Sequence, residues 1–154
     1  MPSFAYIIGA SKIIGASKID AQNRIVRACE KHWNAWSGDC SGFVKAVAKE
    51  LGLPLPSFQA NGLVDYIQQH PWRKLASGVE AAQQAKLGRL VLAGHKSAPH
   101  GHVVIVVPGG LAKGKYPVAY WGALGGQGRK YTTLNYSFPP TQRDQLVYAY
   151  RNVP

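Results

Sequence analysis

The segment Ser37-Gly-Asp-Cys-Ser-Gly-Phe-Val-Lys-Ala-Val-Ala-Lys-Glu-Leu-Gly constrains the fold more than any other part of the chain, because it places a cysteine where a helix should begin. Val44, Val47, Ala48 and Leu51 recur at helical spacing, whereas Lys45, Lys49 and Glu50 fall on the opposite face. Gly52 and Pro54 end the helix. Asp39 is a good N-cap, which makes Cys40 the first helical residue and brings the free amides of the first turn close to its sulfur. An unperturbed thiol titrates at ~8.5, and a helix N-terminus with a neighbouring imidazolium lowers that to roughly 3.5 to 7.5. A cysteine so placed is a candidate nucleophile.

Free cysteine is also among the most buried residue types, so Cys40 has an alternative reading as a small core residue. A core cysteine would sit more naturally among Val44, Val47 and Leu51 than between Asp39 and Ser41. Gly42 would let a substrate backbone come close to the helix start. Asp39, Ser41 and Gly42 are therefore the candidate oxyanion and substrate-binding residues. The Asp39 carboxylate opposes a thiolate unless its charge is directed at the amides of Ser41 and Gly42.

The rest of the chain divides by character. A helix is expected from about Ala21 to Trp33, where Val26, Cys29 and Trp33 share a face, and shorter ones over Ala60 to Gln69 and Gly78 to Leu87. Arg89 to Ala93, Gly101 to Val107, Tyr116 to Trp121 and Gln145 to Arg151 are rich in valine and aromatic residues and are separated by Gly, Pro and Ser, as strands are. Helices followed by strands on short turns predict an α+β domain, a small antiparallel sheet packed on N-terminal helices. Its 154 residues, 46% hydrophobic, suffice for one such domain. We place it at residues 21–154, preceded by a 1–20 extension in which Ile-Ile-Gly-Ala-Ser-Lys occurs twice over residues 7–18. Two copies are too few for a solenoid, and a loosely docked or disordered tail is expected there.

Charge narrows the partners without choosing among them. The formal charge of +11 comes from 18 basic against seven acidic residues, which suits a polyanion such as nucleic acid, anionic lipid or a bacterial cell wall with its free carboxylates. The basic residues are scattered, with no zinc-finger spacing and no RNA-binding aromatic signature, so a dedicated nucleic-acid module is not expected. No run of eighteen apolar residues exists, so no membrane insertion is expected either. The N-terminus lacks a basic n-region and its apolar stretch is broken by Lys12 and Lys18, which makes a poor secretory signal. Cys29 and Cys40 form no disulfide framework for a chain this long, and Cys29 reads as core packing.

A cysteine nucleophile needs a base, and His102 is the best placed of five histidines. It opens a strand that continues Val103-Val-Ile-Val-Val, so its ring would be rigidly held, with Gly101 leaving space beside it. A strand-end histidine with no catalytic role is the plain alternative. His95, His100 and His102 invite a metal reading, but zinc sites usually add a cysteine or carboxylate, and no acidic residue lies between Glu80 and Asp144. Neither metal nor cofactor is expected.

Asp39-Cys-Ser-Gly-Phe-Val, followed later by Gly101-His-Val-Val-Ile-Val, resembles the paired motifs of the NlpC-type papain-like cysteine peptidases. The resemblance is closer to the type VI secretion amidase effectors of family one, small peptidoglycan hydrolases that Gram-negative bacteria inject into rivals. It runs from about Arg27 to Tyr150 and includes Lys74-Leu-Ala-Ser-Gly-Val-Glu-Ala-Ala-Gln, Lys115-Tyr-Pro and Arg143-Asp. The resemblance implies a papain-like fold and cleavage of the peptidoglycan stem peptide between D-glutamate and meso-diaminopimelate. Cys40 matches the family's nucleophile and His102 its general base.

The group that orients the imidazole matches Trp121, whose indole donates but cannot accept a hydrogen bond. Either its backbone carbonyl serves, or another residue does, or the site is less well ordered. The resemblance further implies synthesis in the cytoplasm, delivery by type VI secretion machinery to the periplasm of a target cell, and a periplasmic immunity protein that blocks the cleft. Two other readings compete: an acyl or peptidyl transferase that forms the same thioester, and a non-enzymatic basic module that binds wall or nucleic acid.

Overall fold

In a computed structural model that describes residues 10–126 and 128–154, with side chains from residue 19 onward, four helices and six strands form one α+β unit. Helix α1 (Ala10–Trp36) comes first, then α2 (Cys40–Glu50) and α3 (Ala60–Tyr66). Strand β1 (Arg73–Leu75) and helix α4 (Gly78–Lys86) precede β2 (Leu90–His95), β3 (His102–Ala112), β4 (Tyr116–Trp121), β5 (Arg129–Thr133) and β6 (Val147–Arg151). All neighbours pair antiparallel, in the order β1-β6-β2-β3-β4-β5.

The central strands are buried on both faces and alternate between two cores. Val103, Ile105 and Val107 of β3 face one core, shared with Ile25, Cys29, Phe43, Val47 and Leu63 of α1 to α3. Val104 and Val106 face the other, shared with Ala81 and Ala85 of α4, Trp121, Leu134 and Phe138. Helices therefore cover both faces of the sheet, and the run of valines in β3 is apolar throughout for that reason. Cys29 is fully buried, as expected of core packing, and both cysteines are free thiols. Among the described residues no helix is long and apolar enough to cross a membrane.

Several elements differ from expectation: α3 ends at Tyr66 rather than Gln69, and β3 continues past Val107 to Ala112. Helix α1 starts at Ala10, within the first hexapeptide, rather than near Ala21. Extending a packed helix adds one hydrogen bond per residue without a new nucleation cost, so Ala-, Ser- and Lys-rich sequence can join it. The part of the extension before Ala10 lies outside the described residues. Strands β1 and β5 were not expected: they are the two edges of the sheet, largely exposed, and carry Arg73, Lys74, Arg129 and Lys130 where an apolar alternation would have marked them.

Candidate active site

Helix α2 starts where the sequence places it. Asp39 is extended (φ −147°, ψ 107°), and its Oδ1 accepts the Gly42 amide at 2.9 Å and the Ser41 hydroxyl at 3.2 Å. Val44, Val47, Ala48 and Leu51 are all buried. Cys40 is thereby the first helical residue, half-buried, with its thiol free.

The turn that carries this helix start is fastened to the end of β4. The Ala123 amide donates to Ser37 O at 3.0 Å, and the Trp33 indole donates from α1 to the carbonyls of Trp121 (3.0 Å) and Arg129 (3.2 Å). A Cβ on Gly122 would lie 2.1 Å from Trp36 O and 2.7 Å from Asp39 O, so glycine is what permits this contact. The opposite side of the site is set by the loop between β2 and β3. Asn61 of α3 bonds the Ser97 backbone in both directions, at 2.9 and 3.0 Å. Gly101 has no room for a Cβ beside Asn61 Oδ1 and His95 O. Gly101 is thus required by the close approach of Asn61 to the backbone of this loop.

Cys40 and His102 line one cleft of about 810 Å³ together with Asp39, Ser41, Trp121 and Ser137. The amide of Val103, the residue after His102, is directed at the Cys40 sulfur. The His102 imidazole packs on Phe138, with ring centroids 5.0 Å apart, and its Nε2 lies 2.5 Å from Ser137 Oγ. Ser137 follows a 3-10 turn (Leu134–Tyr136) whose Leu134 is buried, as is Phe138, so the hydroxyl is held between two anchors.

Trp121 lines the cleft, but its carbonyl accepts the Trp33 indole, and the imidazole bonds Ser137. No local pattern could have flagged a serine 35 residues beyond His102. Gly42 lies on the other side of α2, where a Cβ would be 2.3 and 2.4 Å from two Trp36 ring carbons. It is required by packing, not by an approaching substrate backbone.

The electrostatics reverse one expectation. Burial raises the Cys40 thiol above its ordinary range. The Val103 amide opposes this, the Asp39 charge adds to it, and the Ser41 and Cys40 amides oppose it more weakly. Burial also lowers His102 to about 4. Removal from water therefore outweighs the helix-start amides, and burial favours the neutral form of both the thiol and the imidazole that line the cleft. Among the described residues no group of three potential ligands could hold a metal. His95 lies directly opposite His102 in the β2–β3 register.

No family model matches the chain. It is 42% identical over 134 residues to the peptidoglycan amidase Tse1 of Pseudomonas aeruginosa, a match covering 80% of this chain and 86% of that protein. A likeness of that extent, together with a capped cysteine and a strand-end histidine facing one cleft, shows the relationship that the motifs suggested: the chain belongs to the type VI secretion effector amidases, the peptidoglycan amidase family that includes Tse1.

Proposed function

We propose that the protein is an antibacterial peptidoglycan amidase in which Cys40 is the nucleophile, His102 the general base and Ser137 the residue that orients the imidazole. The observation that carries this reading is the meeting of Cys40 and His102 in one cleft, from opposite halves of the chain. The Ser137 hydroxyl can donate to Nε2 or accept from it; in this mechanism it accepts, which puts the lone pair of the neutral ring on Nδ1. That nitrogen takes the thiol proton as Sγ attacks the carbonyl carbon of the stem peptide. The Cys40 backbone amide stabilises the oxyanion. Collapse of the tetrahedral intermediate breaks the C–N bond, and the proton on Nδ1 passes to the leaving amine. Water, deprotonated by the same nitrogen, then hydrolyses the thioester and releases the thiol.

Because the resting pair is neutral, proton transfer accompanies attack rather than preceding it. The scissile bond we assign is that between D-glutamate and meso-diaminopimelate, and the catalytic domain is residues 21–154. Delivery to a rival's periplasm by type VI machinery and an immunity protein acidic at its contact complete the proposal, the latter matched to a charge of +11. Digestion of purified sacculi, with fragments identified by mass spectrometry, tests it. Stem peptides cut at that bond are expected from the unaltered protein and none from Cys40→Ala or His102→Ala proteins of unchanged circular dichroism. Hydrolysis retained by Cys40→Ala would refute the cysteine mechanism.

A further inference from the structure

Behind the catalytic helix runs a second groove of about 880 Å³, lined by His32 and Trp36 of α1, Asp39 and Gly42 at the start of α2, and Lys45 and Lys49 on its outer face. Asp39 borders both this groove and the catalytic cleft, so the two lie on either side of the helix start. Trp36 is its distinctive element. Part of the indole lies directly on the Gly42 backbone, where a Cβ would be 2.3 Å from Cε3, yet 38% of the residue is exposed. A large aromatic ring is thus held rigidly at the surface, contributing nothing to either buried core.

The charge around the ring is unequally compensated. Glu50 is engaged by Lys31 at 3.0 Å and by His32 at 3.2 Å, and Asp39 is occupied in capping α2. Among the described residues neither Lys45 nor Lys49 is in an ion pair. A flat apolar ring flanked by two uncompensated ammonium groups fits a ligand that presents a sugar face and a carboxylate side by side.

We infer that this groove is a binding site for a carboxylate-bearing glycan strand, the pyranose ring stacking on Trp36 and the carboxylate bonding to Lys45 and Lys49. The strand would be a peptide-free stretch of the wall's glycan, since a lactyl group that carries a peptide is an amide and has no free carboxylate, so the site would hold the enzyme on the wall beside the peptides still to be cut. The choice of polymer rests on the amidase reading, whereas the groove's geometry does not. An exposed helix face also collects lysines for solubility alone, and the indole is what separates the two cases.

The test uses the Cys40→Ala protein and glycan strands stripped of all peptide, which retain a lactyl carboxylate on alternate sugars and leave the catalytic cleft without its substrate. Titration at an ionic strength of about 0.15 M limits non-specific attraction. The strands are expected to perturb the Trp36 indole N–H signal. Binding is expected to weaken about tenfold or more with Trp36→Ala and, separately, with Lys45→Ser plus Lys49→Ser, each folded by circular dichroism. Chitin oligosaccharides, with sugars but no carboxylate, and polyglutamate, with carboxylates but no sugar, are each expected to bind at least about tenfold more weakly than the strands.

Absence of strand binding overturns the proposal, as does binding that Trp36→Ala leaves unchanged. Polyglutamate binding as tight as that of the strands reduces the groove to a charged surface and also overturns it. Hydrolysis is measured separately on sacculi with the unaltered protein, so loss of the glycan site and loss of the amidase reading give different results.

Discussion

The Nε2 of His102 and the hydroxyl of Ser137 lie 2.5 Å apart, although 35 residues separate them in the chain. The contact holds the ring in place, and if Ser137 Oγ accepts from Nε2 the lone pair is left on Nδ1, the arrangement the proposed mechanism requires. Replacing Ser137 with alanine removes one neutral hydrogen bond, of about 0.5 to 1.5 kcal/mol, so kcat should fall about 2- to 10-fold with KM little changed. Ser137→Asn, which offers a carbonyl oxygen to the same N–H, should recover most of the loss. Equal rates for the alanine, asparagine and unaltered proteins on soluble muropeptides would show that Ser137 does not orient the base.

How much of this was legible beforehand follows from where each signal resides. The helix Cys40–Glu50 and its Asp39 cap were readable because periodicity, cap and stop signals all fall within sixteen consecutive residues. Strands β2, β3 and β4 were readable because burial on both faces forces apolar runs, and β6 because it is rich in aromatic and β-branched residues. Edge strands obey a different rule, being charged to deter pairing, and so Arg73–Leu75 and Arg129–Thr133 resemble loops. The thiol's electrostatics depend on how much protein encloses Cys40, which no local motif encodes. Ser137 reaches His102 only because Leu134 and Phe138 anchor a turn beside it.

A neutral resting pair makes a prediction about reactivity. Burial raises the Cys40 thiol above its usual range, so alkylation by iodoacetamide should be slow at neutral pH and should rise through the alkaline range as the thiolate forms. Cys29 is fully buried and does not compete. A rate plateau extending from mildly acidic to neutral pH would instead reveal a preformed thiolate–imidazolium pair.

His102 also links stability to pH. Its ordinary value is 6.5 and burial lowers it to about 4, so between those limits the unfolded chain binds a proton that the folded chain does not. Stability is therefore lost as pH falls through this window, by about 3 kcal/mol in all, and is fully present above it. Replacement by glutamine removes the titrating group, and denaturant melts of His102→Gln should show a shallower acid dependence between pH 6.5 and 4 than the unaltered protein. Parallel curves would mean that the imidazole is hydrated in solution.

Packing of Trp36 on Gly42 predicts a coupled pair. A Cβ at Gly42 would meet the indole at 2.3 Å and Asp39 Oδ2 at 2.7 Å, so Gly42→Ala should destabilise by about 1 to 3 kcal/mol. Removing the ring in the same chain relieves the closest clash. The Gly42→Ala plus Trp36→Ala protein should therefore melt higher than the two single losses, added together, would give. Strict additivity would show that the ring moves aside without cost.

Gly122 offers a test in which backbone, not a side chain, is the obstacle. Its Cβ would lie 2.1 Å from Trp36 O and 2.7 Å from Asp39 O, on the turn that carries Cys40, and neither carbonyl has a rotamer to escape into. The turn must move away from β4, carrying the sulfur with it while His102 stays on β3. Displacements of a fraction of an ångström between reacting groups are costly, so Gly122→Ala should lower kcat about 10- to 100-fold. Gly110→Ala, at a site where nothing lies within 4 Å of the new Cβ, should leave turnover unchanged and serves as the control. If Gly122→Ala retains full turnover, the turn is not what holds the nucleophile against the base, and α2 must be positioned by its buried face, Phe43, Val44 and Val47, alone.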